Sequence, residues 1–241
     1  MELAERYHRQ LGLLPLNVLN TPITVIGAGA VGSFVTLTLA KMGFTELTVY
    51  DDDTITAHNL PNQFFRVADV GRPKVEALRD LVWSFEDIPL KVKNARFKGD
   101  DVEGIVVSAV DSMSSRKLIF KSVEGNPSVR FFLDPRMGGQ LSVLYAFDPT
   151  DIDMMVAYKE TLHSDEDASE APCTERAILY TVLSIASMVA NYIRAHLVES
   201  QVPFVTQRCH VLHVTTHLDG RETAEEVSVP AVIRRDEMPA R

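Results

Sequence analysis

The chain has 241 residues, 46% of them hydrophobic, enough to bury the core of one ordinary α/β domain. Its net charge of −9 argues against nucleic acid as the main ligand, since phosphate contacts need a basic surface, and leaves room for a basic protein partner. Two cysteines, Cys173 and Cys209, are too few for a four-ligand structural zinc site or a disulfide framework, which fits a reducing, cytoplasmic compartment. The opening from Met1 to Arg6 lacks a basic start followed by an apolar run, so no secretory signal is expected there.

Ile23-Thr24-Val25-Ile26 is a short apolar run that predicts a buried strand. Over 31–42, Val31, Phe34, Val35, Leu39 and Met42 recur at helical spacing, and Gly43 stands where helices end. Leu47-Thr48-Val49-Tyr50 predicts the next strand, closing on Asp51 and completing a βαβ unit. Val75, Leu78, Val82 and Phe85 mark a second helix, with Pro73 near its first turn. Ile88, Leu90 and Val92 alternate like a strand with one polar face. Ile105-Val106-Val107-Ser108-Ala109-Val110 predicts another buried strand, closing on Asp111, and a helix capped by Ser112 or Ser114 follows. Residues 129–133 and 141–147 read as two more strands. This alternation predicts an α/β fold: a doubly wound, Rossmann-like, mostly parallel sheet with helices on both faces.

The regular pattern then stops. Residues 148–174 are acidic, with scattered apolar side chains, and are expected to form a long crossover loop without regular structure. The loop ends in Pro172-Cys173-Thr174-Glu175-Arg176, just before the apolar run 177–193. That run is interrupted by Thr181, Ser184, Ser187 and Asn191 and is short for a membrane span, so it predicts a buried helix and no membrane partner. Residues 202–218 are expected to add one or two strands. The domain is placed at 1–220, with 221–241, charged and carrying two prolines, as a flexible tail.

Gly27, Gly29 and Gly32 sit between a strand and a helix as a dinucleotide-type fingerprint. Glycines there allow a tight turn and close approach of backbone to phosphate, and the helix offers free N–H groups at its positive end. Asp51 lies 19 residues beyond Gly32, near the spacing of an acid that holds ribose hydroxyls. An NAD or FAD binder carries the same fingerprint. Arg9, Asn59, Lys74 and Asp111, expected at the same edge of the sheet, favour a triphosphate instead. A lysine neutralises phosphate as a point charge, and an acid at a strand end can hold Mg²⁺ through oxygen. No residue set suggests a hydride-acceptor pocket.

Arg6-Tyr7-His8-Arg9-Gln10, the glycine loop, Asp51-Asp52-Asp53, Asn59-Leu60-Pro61-Asn62-Gln63, Gly71-Arg72-Pro73-Lys74, and Asp111 with Arg116 follow one another in a recognisable order. Over about residues 6–197 the chain resembles the ThiF/MoeB-like adenylyltransferases, the superfamily that includes the ubiquitin-activating enzymes, and most closely their compact single-domain members. The resemblance implies binding of ATP, Mg²⁺ and the C-terminal tail of a ubiquitin-like protein, whose carboxylate attacks the α-phosphate to give an acyl-adenylate and pyrophosphate. It also implies roles. Asp51 holds the ribose, within the acidic run that includes Asp53. Asn59, Asn62 and Lys74 face the phosphates. Asp111 organises Mg²⁺, with Arg116 supporting the site. Arg9 reaches the γ-phosphate of a neighbouring subunit, which implies a homodimer. One departure stands out: Asn62 occupies the place of an arginine in the family pattern Asn-x-x-Arg-Gln. Losing such a transition-state contact costs roughly 10²-fold or more in rate, unless Arg66 or Arg72 substitutes. Ser112 replaces the usual asparagine after the acid, a milder change.

Cys209, in an apparent strand, reads as core filler. Cys173 precedes a helix, where the dipole and Arg176 would lower its pKa, and Pro172-Cys173-Thr174 resembles the segment around the catalytic cysteine of ubiquitin-activating enzymes. The leading expectation is therefore adenylation, thioester formation on Cys173 and transfer to a conjugating enzyme. The alternatives are adenylation for sulfur transfer or tRNA modification without a thioester, and a non-catalytic partner subunit marked by Asn62. His58 and His163 read as solvated, Asp165-Glu166-Asp167 as a solvated loop, and His210, His213 and His217 do not share one face cleanly. Arg136-Met137-Gly138-Gly139-Gln140 is expected to follow a strand end and shape the channel for the partner's tail.

Overall fold

A computed structural model describes residues 3–138, 141–164, 178–199 and 214–217. A one-turn helix, α1 (Leu3–Arg6), leads into β1 (Ile23–Ile26), α2 (Ala30–Lys41), β2 (Leu47–Tyr50), α3 (Lys74–Glu86) and β3 (Lys91–Lys93), two βαβ units stepping outward in one direction. The chain then crosses to the other side of β1 with β4 (Gly104–Ser108), α4 (Met113–Val123), β5 (Val129–Gly138) and β6 (Leu141–Phe147). Helices α5 (Ile152–Glu160) and α6 (Leu179–Glu199) precede the last described strand, β7 (Val214–His217). The sheet runs β3-β2-β1-β4-β5-β6-β7. Its first five strands are parallel, and β6 and β7 are antiparallel. This is the Rossmann-like, doubly wound α/β sheet that the strand and helix alternation predicts. The order reverses between β1 and β4, the switch point where a crevice opens beyond the strands' C-terminal ends.

Period-two patterning builds both faces. Ile23 and Val25, Leu47 and Val49, Ile105 and Val107, and Phe131 and Leu133 face the layer of α2, α3 and α6. Ile26, Tyr50, Val106 and Phe132 face the layer of α4 and α5, where Phe120 and Tyr158 pack. The central strands are apolar on both sides because both sides are covered. Helix α6 is long and apolar enough to cross a membrane by length and composition. Here it is a core helix: Val182, Ile185, Ala186, Val189 and Ile193 are buried against the sheet and α2.

Three expectations change. Residues 148–174 are not wholly without regular structure, because α5 lies within them, its first turn capped by Asp151, whose carboxylate accepts from the Met154 N–H at 3.2 Å. Strand β5 continues through Pro135 and Arg136 to Gly138, so Arg136 lies inside a strand and not beyond one. The strand expected around Ile88 to Val92 is only Lys91–Lys93. Ser112, not Ser114, caps α4, accepting from the Ser115 N–H.

The opening motif divides by task. Arg6 donates to the Glu86 carboxylate and carbonyl, both at 2.6 Å, and Tyr7 donates to the same carboxylate. Gln10 donates to the Met42 carbonyl just past the end of α2 at 2.6 Å. Arg6, Tyr7 and Gln10 therefore fasten the N-terminal segment to the ends of α2 and α3. Arg9 is left exposed, with no side-chain partner among the described residues.

Candidate active site

The crevice is built from three loops that meet beyond β1, β2 and β4. Gly27 has a φ of +101°, and a Cβ there would lie 2.3 Å from the Ala109 carbonyl oxygen. A Cβ on Gly32 would lie 1.9 Å from the Gly27 carbonyl oxygen. These two positions therefore accept only glycine, and their close packing holds the glycine loop against the segment that ends in Asp111. Gly29 is different: it is the N-cap of α2 and faces open space, so its bare backbone is free to meet a ligand at the helix's positive end.

Asp51 is fixed by the same loop. Its carboxylate accepts from the Ala28 N–H at 2.7 Å and the Asp53 N–H at 2.8 Å. Burial pushes its pKa up, while the Lys74 charge and the two N–H donors pull the other way. Lys74 is brought there by a short antiparallel contact between the segments before and after residues 56–70, with a bridge between Thr54 and Pro73 and the Lys74 N–H donating to the Asp53 carbonyl at 2.9 Å. The Lys74 ammonium, only 8% exposed, sits 2.6 Å from the Asp53 carboxylate and 3.9 Å from that of Asp51. Asp53 is 67% exposed, so the lysine's partner lies at the mouth of the crevice.

The Asn59 side-chain oxygen accepts from the Thr56 N–H and hydroxyl at 2.9 and 2.8 Å, which leaves its amide N–H groups unused among the described residues. Asn62 and Gln63 follow in a turn closed by N–H bonds to the Asn59 carbonyl, and the Phe64 N–H donates to Ser33 in the first turn of α2 at 3.0 Å. This places the Asn59 to Gln63 segment beside the glycine loop. The Gln63 side-chain oxygen is buried with no hydrogen-bond partner. An unmet buried acceptor costs about 1–3 kcal/mol until something donates to it. Asp111 is exposed and its carboxylate is unpaired among the described residues.

Gly27, Gly29, Gly32, Asp51, Asp53 and Lys74 thus come together, with Asn59, Asn62 and Asp111 on adjoining loops. Two predicted site residues stand apart. Arg9 is not at this edge: its neighbour Gln10 is tied to the far end of α2, about 18 Å along the 12-residue helix from the glycine loop. Arg116 is buried behind the Asp111 loop, its guanidinium held by the Asp134 carboxylate and the Ser108 and Val110 carbonyls. Nor are Arg66 and Arg72 free to stand in for the arginine missing at Asn62. Both bind Asp69, at 2.8 and 3.0 Å, and Arg72 also binds Asp80 at 2.5 Å. Arg66 above all holds the Asp69 carboxyl down at about 2. Cys173, Arg176, Cys209, His210 and His213 lie outside the described residues, and α6 is described from Leu179 onward.

Among the described residues, the group of acids close enough to share a cation is Asp51, Asp52 and Asp53, not a set around Asp111. Two of its members are already engaged with N–H donors or Lys74. Mg²⁺ in phosphate-transfer sites takes one or two carboxylates plus the substrate's phosphates, and the single free carboxylate of Asp111 fits that demand. The site residue absent from the sequence reading is Asp134, fully buried in β5.

The ThiF family matches residues 15–226. This chain belongs to the ThiF family. A NEDD8-activating enzyme E1 catalytic subunit from Arabidopsis thaliana is 36% identical over 104 residues, 40% of this chain and 23% of that protein. A probable adenylyltransferase/sulfurtransferase MoeZ from Mycobacterium tuberculosis is 28% identical over 207 residues, 77% of this chain and 51% of MoeZ. The chain therefore spans about half or less of the length of these curated relatives. The structure of E. coli MccB with ATP superposes with a TM-score of 0.63 at 17% identity, covering 83% of this chain and 65% of MccB, a likeness of fold.

Proposed function

We propose that this ThiF-family chain is an ATP-dependent adenylyltransferase that activates the C-terminal carboxylate of a ubiquitin-like protein, then carries it as a thioester on Cys173 for transfer to a conjugating enzyme. The observation that carries the first step is Lys74: a nearly buried ammonium beside the glycine loop, paired with a carboxylate that lies largely in solvent. Such a cation can exchange an exposed acid for the phosphates of ATP lying against Gly29 and the N-terminus of α2. On this reading Asp51 takes the ribose hydroxyls, and the amide N–H groups of Asn59, with Asn62, donate to phosphate oxygens. Asp111 is the residue that would hold Mg²⁺, which neutralises charge on the departing pyrophosphate when bound.

The reaction needs alignment more than covalent help. A carboxylate oxygen attacks the α-phosphorus, the bond from that phosphorus to the bridging oxygen breaks, and pyrophosphate leaves. The Cys173 thiolate then attacks the acyl carbon and AMP departs. The segment that carries Arg9 is fastened at the far end of α2 from its own crevice, and on this reading Arg9 contributes to the site of a second copy, so the working unit is a homodimer.

ATP–pyrophosphate exchange, run with the ubiquitin-like protein encoded nearest this chain, tests the reading. Exchange is expected to fall at least about 10²-fold in Lys74→Ala. Cys173→Ala should retain exchange and lose a thiol-sensitive adduct. An adduct that survives in Cys173→Ala sinks the thioester step. A second reading is adenylation for sulfur transfer without a thioester. The MoeZ match favours it, because that match covers 77% of this chain against 40% for the NEDD8-activating subunit. Exchange with no adduct in the unmodified chain is its signature.

A further inference from the structure

The Asp134 carboxylate joins two parts of the molecule that are remote in sequence. One oxygen takes the Arg116 guanidinium, which also donates to the carbonyls of Ser108, the last residue of β4, and of Val110 just beyond it. The other oxygen takes Arg136 Nε at 2.6 Å and the Tyr158 hydroxyl at 2.9 Å. Tyr158 lies in the last turn of α5, and Arg136 reaches on to Thr161, which closes that helix, donating to its carbonyl at 3.1 Å and its hydroxyl at 3.0 Å. The Arg136 guanidinium also lies over the Tyr145 ring at 4.4 Å. Asp134 has no solvent exposure, and Arg116 and Arg136 have 7% and 14%. Two buried cations on one carboxylate leave a surplus positive charge that only this arrangement of carbonyls, hydroxyls and ring faces satisfies. The geometry is therefore strict: a shift of the end of α5 must move Asp134 or break a bond to it.

We propose that Asp134 is a positioning residue, the joint through which the end of α5 sets the β4–α4 loop that presents Asp111 to the crevice. The inference rests on the adenylation reading for its catalytic consequence and on geometry alone for the coupling. Arg116 is the inner arm, because it grips the Ser108 and Val110 carbonyls on either side of Ala109, whose own carbonyl packs on Gly27. Tyr158 is the outer arm. Burial, and then the Asp134 charge, push the phenol's pKa up, so it stays protonated and remains a donor.

Tyr158→Phe is the variant of choice, since it keeps the ring in its aromatic cluster and removes one hydrogen bond; Thr161→Val removes the Arg136 bond to the Thr161 hydroxyl and leaves the one to its carbonyl. Hydrogen exchange is read at the amides of Ala109, Ser115 and Arg116, which are bonded at the root of the Asp111 loop, and at those of β2 as an internal reference. Both variants are expected to speed exchange at the loop roughly fivefold or more with β2 unchanged, the mark of a local opening and not a global one. In ATP–pyrophosphate exchange, kcat should fall about tenfold with KM for ATP nearly unchanged, since misplaced groups cost rate more than binding. Unchanged loop exchange in both folded variants, or equal acceleration in loop and β2, overturns the proposal. A wild-type chain with no pyrophosphate exchange defeats the adenylation reading, while the hydrogen-exchange result still decides the coupling.

Discussion

Asp69 and Asp134 each hold two arginines, and they do opposite things. Asp69 sits under the rim of the crevice, itself buried, with Arg66 and Arg72 lying 55% and 35% exposed around it. Asp134 sits in the interior with Arg116 and Arg136 almost fully covered. At the rim, water solvates the outer sides of the guanidiniums, so the cluster is a local clamp on the turn from Val67 to Asp69 and on the start of α3. In the interior no water answers for a missing partner, and the same composition becomes a joint between β4, β5 and α5. The difference lies in where the arginines' unused faces point, not in the number of ion pairs.

The largest way to break that contrast is at the inner node. Asp134→Ala leaves Arg116 and Arg136 buried without their counter-charge and should cost about 3–5 kcal/mol in urea unfolding. If the cost is under about 1 kcal/mol, typical of exposed pairs, the inner cluster is no different from a surface one. The outer node should respond to acid instead. Asp69 has a folded pKa lowered from 3.8 to about 2, chiefly by the hydrogen bond from Arg66. A depressed carboxylate contributes stability that is complete above its unfolded pKa and is lost as pH falls through the folded one, so the window runs from 3.8 down to about 2. Asp69→Asn should therefore be less stable than wild type by about 2 kcal/mol at neutral pH, with the gap closing across that window. A gap that persists at pH 2 would assign the effect to shape and not to charge.

The rim was far more legible in the sequence than the interior. The glycine loop, Asp51 and Lys74 follow from local spacing, because a strand, a tight turn and a helix bring near neighbours to one edge. The buried node does not. Phe131-Phe132-Leu133 reads as a strand that Asp134 and Pro135 end, yet β5 runs on to Gly138 because the aspartate's charge is met by Arg116 and Tyr158, 18 and 24 residues away along the chain. Helix α5 escaped notice for a related reason: its one anchoring ring, Tyr158, is buried, while Ile152 and Val156 are exposed, so no clean apolar stripe marks it. Its local signal was the cap, Asp151 three residues before Met154. For Arg9 the motif was visible, but which end of α2 it occupies depends on Gln10 finding the Met42 carbonyl, a tertiary choice.

The smallest expected effect tests what the outer clamp withholds from catalysis. Because Arg66 and Arg72 are bound to Asp69 and Asp80, they lend no free positive charge to the turn at Asn62. On the adenylation reading, Asn62→Arg should raise the rate of ATP–pyrophosphate exchange about tenfold, less than the full value of an evolved transition-state contact because nothing around it has been shaped to hold the guanidinium. Arg66→Ala, in contrast, should leave the rate within about twofold, since an arginine bound to Asp69 has no charge to lend. The pair of measurements separates two sources of cation at the crevice. A rate unmoved by Asn62→Arg but cut sharply by Arg66→Ala would mean that the rim cluster opens when the nucleotide binds, and that the clamp seen here is the resting arrangement of a catalytic arginine.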